Sequence, residues 1–357
     1  MSIAMLSEMV ARGAGTFVSN VSTQLSSVEI AGRMMPLTID NGSPGGSYVC
    51  SPHSAYALYA REEIGLVDVG MAALPARAAI SGIGAMLRAT RMDRVVHLGN
   101  WMLSTNLHAG WQGEGLAEAR QSITDRFPDH LVGVRSIDDW SSPGLRQAMT
   151  DDGWVLVPSR QVWVVDDLAR EWRPRGNHGH DRRALAASGL AISDLDRISE
   201  PDAARIADLY RMLYVERYSA FNPILTAAFI EASQRTGMLS YRVARNTGGT
   251  IMAVAGMWER GGTMTPPVVG YDITRPRSEA LYRIACWMFM ERAMERRWRL
   301  HGSAGAADFK RNRGAHGVIE WNAYHVEHLT MPRRAAVRAL AALLTSIIVP
   351  MARRRGW

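Results

Sequence analysis

The chain has 357 residues, 47% of them hydrophobic and 21% charged. That balance excludes a disordered or collagen-like chain and leaves room for about two domains of ~150 residues. Two cysteines, Cys50 and Cys286, exclude a disulfide framework and a four-thiolate zinc site. The formal net charge of +7 is unevenly spread: Arg333, Arg334, Arg338, Arg353, Arg354 and Arg355 stand in residues 332–357 without an acid. Residues 291–313 add seven basic residues against Glu291, Glu295 and Asp308. Such a surface suits a polyanion, whether nucleic acid, a phosphorylated cofactor or an anionic membrane, and otherwise is a solvated face. No basic stretch followed by an apolar core opens the chain, so a cytoplasmic protein is expected.

In chain order, residues 1–46 are rich in Ser, Gly and Thr and read as a loosely ordered lead-in with one helix at most. Residues 47–167 alternate between helix and strand. Strands are expected at 94–105, 130–136, 154–158 and 161–165, the last two around a turn at Ser159-Arg160. Helices are expected at 114–126 and 143–149. Residues 168–190 begin with a stretch that has no apolar periodicity and five Arg, and read as a basic linker. The second half, 191–332, repeats the order. Helices are expected at 201–214, 223–236, 279–297 and 306–312. A hairpin is expected around Asn246-Thr-Gly-Gly249, and strands at 267–271, 298–303 and 317–328. Residues 333–357 form a basic C-terminal helix or tail. Its apolar stretch 335–351, interrupted by Arg338 and Pro350, is too marginal to span a membrane, and packing on the second domain is expected. The fold class is therefore α/β (α+β), a doubled unit of mixed, mostly antiparallel sheet flanked by helices.

Of the 41 basic residues, 40 are Arg and one is Lys310. Arg and Lys differ where a compact three-donor ammonium on a flexible stem must reach a small site. The single Lys, in Gly302-Ser-Ala-Gly-Ala-Ala-Asp-Phe-Lys-Arg311, therefore points to chemistry there; the plain alternative is drift.

The element order of the second half resembles the GNAT acyltransferase fold. Phe309-Lys310, followed by Gly314, resembles the FK…G segment of the Fem-type transferases, doubled GNAT proteins that use aminoacyl-tRNA as acyl donor. Arg217-Tyr-Ser-Ala-Phe-Asn-Pro223, Pro267-Val-Val-Gly-Tyr-Asp272, Leu281-Tyr-Arg283 and Ser303–Gly314 are similar to actinobacterial GNAT-like proteins of natural-product pathways. These include the type that moves an aminoacyl group from tRNA to a small amine or hydroxylamine. The resemblance implies tandem GNAT-like domains, a charged tRNA as co-substrate, a small-molecule acceptor, no metal and no bound cofactor. Acetyl-CoA enters only under the alternative of a CoA-dependent N-acyltransferase; a non-catalytic RNA-binding protein on a GNAT shell is a third possibility. A membrane partner is not expected.

The donor has its own signal. CoA-using GNAT domains carry an Arg/Gln-x-x-Gly-x-Gly/Ala loop, whose amides hold a pyrophosphate at a helix start. Here that connection, 272–280, has no Gly and contains Pro276, which lacks an amide donor. The equivalent in the first half, 108–115, is Gly-rich but off pattern.

Lys310 is the candidate for steadying the oxyanion of a tetrahedral intermediate. Tyr271 and Asp272 stand where GNAT active-site strands splay, and Asp272 is either a group that accepts the nucleophile's proton or anchors its ammonium, or an N-cap or turn residue before Pro276. Tyr218, Ser219 and Asn222 lie on a loop that covers the acceptor in GNAT folds. Ser303, Tyr282, Arg283 and Asn106 are further substrate-binding candidates, and Phe309 is placed to stack on the terminal adenine or to close the acyl pocket. Arg311, Arg313, Arg333, Arg334 and Arg338 are candidates for tRNA phosphates. His178-x-His180-Asp181 lies in the expected linker and is set aside as a metal site. The pair His325/His328 is set aside because an i, i+3 pair on a strand points to opposite faces.

Overall fold

Ala31 and Gly32 both take positive φ, 47° and 74°, the two-residue turn that matches strand twist in a hairpin. They close β1 (Gln24–Ile30) on β2 (Arg33–Asn41) in antiparallel register. Helix α1 (Ile3–Arg12) and α2 (Ala14–Phe17) precede them. The expected lead-in is therefore ordered structure, because Met5, Met9, Phe17, Leu37 and Ile39 are buried despite polar neighbours. The computed structural model describes residues 3–43, 45–66, 73–108 and 110–355.

The chain divides into two compact units. The N-terminal unit comprises Leu6–Arg160, Tyr218–Ile224 and Ile319–Trp357. The C-terminal unit comprises Met1–Met5, Gln161–Arg217 and Leu225–Val318. The division at Arg160/Gln161 differs from the expected boundary at 168–190. The Ser159-Arg160 turn does not form; β5 runs unbroken from Val155 to Val165. The basic linker is helical, with α7 (Leu168–Glu171) and α8 (Gly176–Ser188). Asp167 caps α7, and α8 is held by buried Asp181 rather than by an apolar stripe, which is why periodicity did not reveal it.

In the N-terminal unit the strand order is β1-β2-β3-β4-β11, with β3 (Arg94–Leu98), β4 (Leu131–Ile137) and β11 (His316–His325). β3 and β4 run parallel and the other pairs antiparallel. Helix α5 (Leu116–Arg126) joins the parallel strands and α6 (Pro143–Asp151) follows. Leu37, Val96, Leu98, Trp111, Ile123 and Val134 form the core beneath them. Helices α3 (Ala60–Leu66) and α4 (Ala73–Ala89) are inserted between β2 and β3.

In the C-terminal unit the order is β5-β10-β9-β8-β7-β6. The strands are β6 (Ala191–Asp194), β7 (Ser240–Arg245), β8 (Ile251–Arg260), β9 (Thr263–Tyr271) and β10 (Arg299–His301). Only β9 and β10 are parallel. Ser199 and Thr226 cap α9 (Glu200–Arg211) and α10 (Ala227–Arg235) through the amides of Asp202 and Phe229. Helix α11 (Leu281–Glu295) is buried from Ile284 through Met290, as its all-round apolar sequence requires. Each unit is a mixed, mostly antiparallel sheet flanked by helices. In both, three antiparallel strands, a helix, a parallel strand and a short helix follow one another.

The last helix, α13 (Met331–Arg355), packs Val337 and Leu340 with Ile83 and Leu87 in the N-terminal unit, not on the second half as expected. It continues through Pro350. Its Met331–Ala352 stretch is long and apolar enough to cross a membrane, and few of its residues, Ala336, Val337, Leu340 and Ala352, are buried.

Candidate active site at the end of the C-terminal parallel pair

β9 stays paired with β8 as far as Tyr271, opposite Ala253. With β10 it pairs only at Thr263–Arg299 and Met264–Leu300. From Thr265 onward the two parallel strands separate, leaving that edge of β9 without a β10 partner. β10 instead turns onto β5. Trp163 accepts from the amide of Gly302 at 2.8 Å and donates to the carbonyl of Ser303 at 3.0 Å, so two residues oppose one. That is a β-bulge, and it re-aims the chain at the mouth of the gap. Ser303, Gly305 and Ala306 all take positive φ, at 58°, 76° and 48°; for a serine and an alanine this is a strained conformation.

Lys310 accounts for the strain. It lies on α12 (Ala307–Arg311), and its Nζ donates to the carbonyls of Gly302 (2.7 Å), Ser303 (3.2 Å) and Ala304 (2.7 Å). The one ammonium gathers three consecutive carbonyls, which an alternating strand would point apart. The longer, planar guanidinium of Arg fits this compact three-way site poorly. A Cβ on Gly302 would come within 3.1 Å of the Trp163 carbonyl. Beneath the ammonium is an apolar cavity of about 20 Å³, lined by Trp163, Cys286, Phe289, Leu300, Gly302 and Phe309 among others. That is room for about one water. Burial pushes the Cys286 thiol up to about 12, so it stays protonated and is no nucleophile.

An aromatic row runs beside the lysine. Tyr271 and Tyr282 have ring centroids 5.8 Å apart, and Tyr282 and Phe309 4.9 Å. The Arg313 guanidinium lies 3.3 Å from the Phe309 centroid, and Arg311 lies 5.6 Å from that of Trp163. Tyr271 Oη accepts from Arg217 at 2.7 Å. The structure thus gathers Ser303, Lys310, Phe309, Tyr282 and Tyr271 in one region.

Other candidates stand differently. Asp272 accepts from the Thr274 amide and hydroxyl and from Arg205 at 2.8 Å. Burial works to raise its pKa, but these bonds outweigh it and hold the carboxyl below the usual range. It is a turn residue with weak basicity, and the proton-acceptor reading is corrected. Arg313 is 3% exposed and paired with Asp181, which also accepts from Arg283 at 3.1 Å. Arg313 is therefore not open to phosphates. Arg311 is exposed and paired with Asp308. Arg333 donates to the carbonyls of Thr90, Arg91 and Asp129, closing the end of α4. Arg334 and Arg338 are paired with Glu327 at 3.3 and 2.5 Å. Tyr218, Ser219 and Asn222 belong to the N-terminal unit. There Asn20 donates to the carbonyls of Ala220 and Asn222, and Ser219 and Asn222 are buried. Asn106 is in the same unit, its Oδ1 accepting from the Trp101 amide.

Among the described residues, the protein's own groups stand at the starts of both α11 and α5. Before α11, Arg275 pairs with Glu279, which puts an acid beside the helix start. Before α5, Gly113 is packed against Ala148, where a Cβ would approach within 2.4 Å, and Glu114 accepts from the Gln112 amide. Ala109 of that loop lies outside the described residues. Among the described residues no group of three or more His, Cys, Asp or Glu is placed to hold a metal. His178 packs edge-on to Trp172, and its ring centroid lies 5.1 Å from that of Trp287. His325 and His328 stack at 5.4 Å, because β11 ends at His325 and the chain turns, contrary to the strand argument. Sequence reasoning set Asp181 aside as a metal ligand in the expected linker without seeing its ion pair, and missed Trp163, which gave no signal beyond its aromatic ring.

No protein-family model matches the sequence, and no curated protein does. Solved structures do show partial likeness. A DUF2156-type C-terminal domain from Agrobacterium fabrum covers 70% of this chain and 81% of its own, at 14% identity and a TM-score of 0.48. FemX covers 58% and 75%, at 9% identity and 0.44. A tandem GNAT protein of the clavulanic acid biosynthesis pathway covers 64% and 75%, at 13% identity and 0.37. Likeness at this level assigns neither donor nor acceptor to this chain.

Proposed function

We propose that the protein is an acyltransferase that moves an aminoacyl group from aminoacyl-tRNA to the amine, or the hydroxylamine or hydroxyl, of a small-molecule intermediate in secondary-metabolite biosynthesis. The observation that carries the reading is the separation of β9 from β10 beside the Lys310 ammonium. An acyl group entering that gap meets unpaired main-chain groups on one side and a fixed cation at the end. Glu279 and the packed Gly113, which stand at the two helix starts, favour tRNA over CoA as donor.

The chemistry asks little of the protein. An aminoacyl-tRNA is an activated ester. The acceptor nitrogen attacks the carbonyl, a C–N bond forms, and the C–O bond to the ribose breaks. The departing ribose oxygen takes the proton that the amine loses, so no protein base is required. At the tetrahedral stage the ammonium of Lys310 exchanges one loop carbonyl for the oxyanion, an effect of ~3–4 kcal/mol for a single donor of this kind. Arg311 and Arg217 supply positive potential at the rim for the acceptor end of the RNA.

The test is incubation of the full chain with bulk charged tRNA and candidate amines, with mass detection of the product. Ribonuclease treatment beforehand should abolish product. Product that survives ribonuclease and requires an acyl-CoA would replace this reading with the CoA-dependent one.

A further inference from the structure

The two halves repeat more than strand order. β4 carries the same bulge as β10. Trp321 pairs with Ile137 and Ala323 with Val134, so Arg135 and Ser136 together oppose Asn322. Ser136 takes φ 62°, as Ser303 takes 58°. Each parallel pair therefore ends in a bulge whose second residue is a left-handed serine, and each presents a cation there. In the C-terminal unit the cation is Lys310. In the N-terminal unit it is the residue that stands in the place of Gly302, namely Arg135.

Arg135 is 5% exposed. Its Nη1 donates to Asn100 Oδ1 and to the Leu103 carbonyl, both at 3.1 Å. These are the guanidinium's hydrogen bonds to described residues, and among the described residues no carboxylate lies within ion-pairing distance of it. The Tyr48 ring lies 5.8 Å away. A buried cation is ordinarily paired, since an uncompensated one is costly. The loop that receives it, 99–108, is almost wholly buried and holds Met102 at φ 57°, a second strained non-glycine residue. Two buried polar atoms on these same segments, Asn106 Nδ2 and Ser136 Oγ, have no hydrogen-bond partner among the described residues. A buried cation with no carboxylate beside it among the described residues, a re-aimed side chain, strain and two polar atoms without described partners all fall at the carboxyl ends of parallel strands, where α/β sheets bind ligands.

We propose that the N-terminal unit holds a small-molecule carboxylate on the free edge of Arg135. A guanidinium fork pairs with a carboxylate through two parallel hydrogen bonds, and a single buried positive charge matches a monoanion rather than a phosphate dianion. The site is independent of the transfer reaction proposed for the C-terminal unit.

Thermal unfolding and equilibrium dialysis of the full chain would be run against acetate, benzoate, N-acetylglycine and inorganic phosphate at constant ionic strength. At least one monocarboxylate should bind saturably and raise the melting temperature. Arg135→Gln should weaken that binding roughly tenfold to a hundredfold, and Lys310→Ala should leave it unchanged. If Arg135→Gln fails to fold, Arg135→Lys and Ser136→Gly replace it; both should bind more weakly, the latter with no loss of stability in the unliganded protein. Binding of phosphate alone, no binding by the panel, or equal binding by wild type and the Arg135 and Ser136 variants would overturn the proposal.

Discussion

Arg313 and Asp181 meet in a two-bond ion pair inside the C-terminal unit, Nε to Oδ2 at 2.8 Å and Nη2 to Oδ1 at 2.6 Å, with both side chains 4% exposed or less. Arg313 sits three residues after Lys310, with its guanidinium on the Phe309 ring and its Nη1 donating to the Phe309 carbonyl at 2.9 Å. The pair therefore fixes α12, and with it the lysine, against α8. Removing one partner leaves a buried charge without its counter-ion. Asp181→Ala should cost about 3–5 kcal/mol in urea unfolding, whereas Asp181→Leu combined with Arg313→Met should cost much less. A single-variant loss under about 1 kcal/mol would show that the pair does not hold the helix.

Lys310 binds the loop after β10 as well as the proposed oxyanion. Lys310→Ala should abolish transfer and also lower stability by about 1–3 kcal/mol, because three carbonyls lose a charged donor. Lys310→Arg should recover part of the stability and little of the rate, since the planar fork fits the three-carbonyl site poorly. Turnover near wild type in the Arg variant would remove the catalytic assignment.

Gly270 lies where β9 crosses under α9. A Cβ there would come within 2.6 Å of the Leu209 carbonyl carbon and 2.7 Å of the Tyr210 nitrogen, both backbone atoms that cannot swing aside. Gly270→Ala should destabilise the C-terminal unit by about 2 kcal/mol or more by forcing helix and strand apart. Circular dichroism melting measures it, and an unchanged melting temperature would mean that α9 moves freely.

Acid should weaken the N-terminal unit. Burial, with Arg135 nearby, depresses His97 to about 3, and burial, with Arg120 and His328 nearby, depresses His325 to about 4. Unfolded, both titrate near 6.5. Between those values the unfolded chain binds more protons than the folded one, so stability is full above about pH 6.5 and falls as the pH is lowered towards 4 and then 3. Urea midpoints at pH 7 and 5 should differ in that direction, and His325→Gln should flatten the slope. A midpoint that rises on acidification would contradict the burial of these rings.

The repeating strand–helix order from Arg94 onward was legible in the sequence because apolar periodicity, Ser199 and Thr226 caps and the Asn246-Thr-Gly-Gly249 turn are local signals. A solitary Lys among 40 Arg is likewise a property of composition alone, and the structure places that Lys against the carbonyls of Gly302, Ser303 and Ala304. Three things were not local. Helix α8 is held by Asp181, paired with Arg313 and Arg283, and by His178 against Trp172 and Trp287, so its sequence looks like a linker. The first strands stand in a stretch rich in Ser, Gly and Thr, and what buries Leu37 and Ile39 is a neighbour, β3, some sixty residues away. The roles of Asp272 and Arg313 depended on which partner reached them first, Thr274 and Arg205 for the one and Asp181 for the other. Periodicity and composition determined which elements form and which residue type is exceptional. Only the packed chain decided which charges are spent on the protein itself, because ion pairs between distant segments form in space and leave no spacing in the sequence.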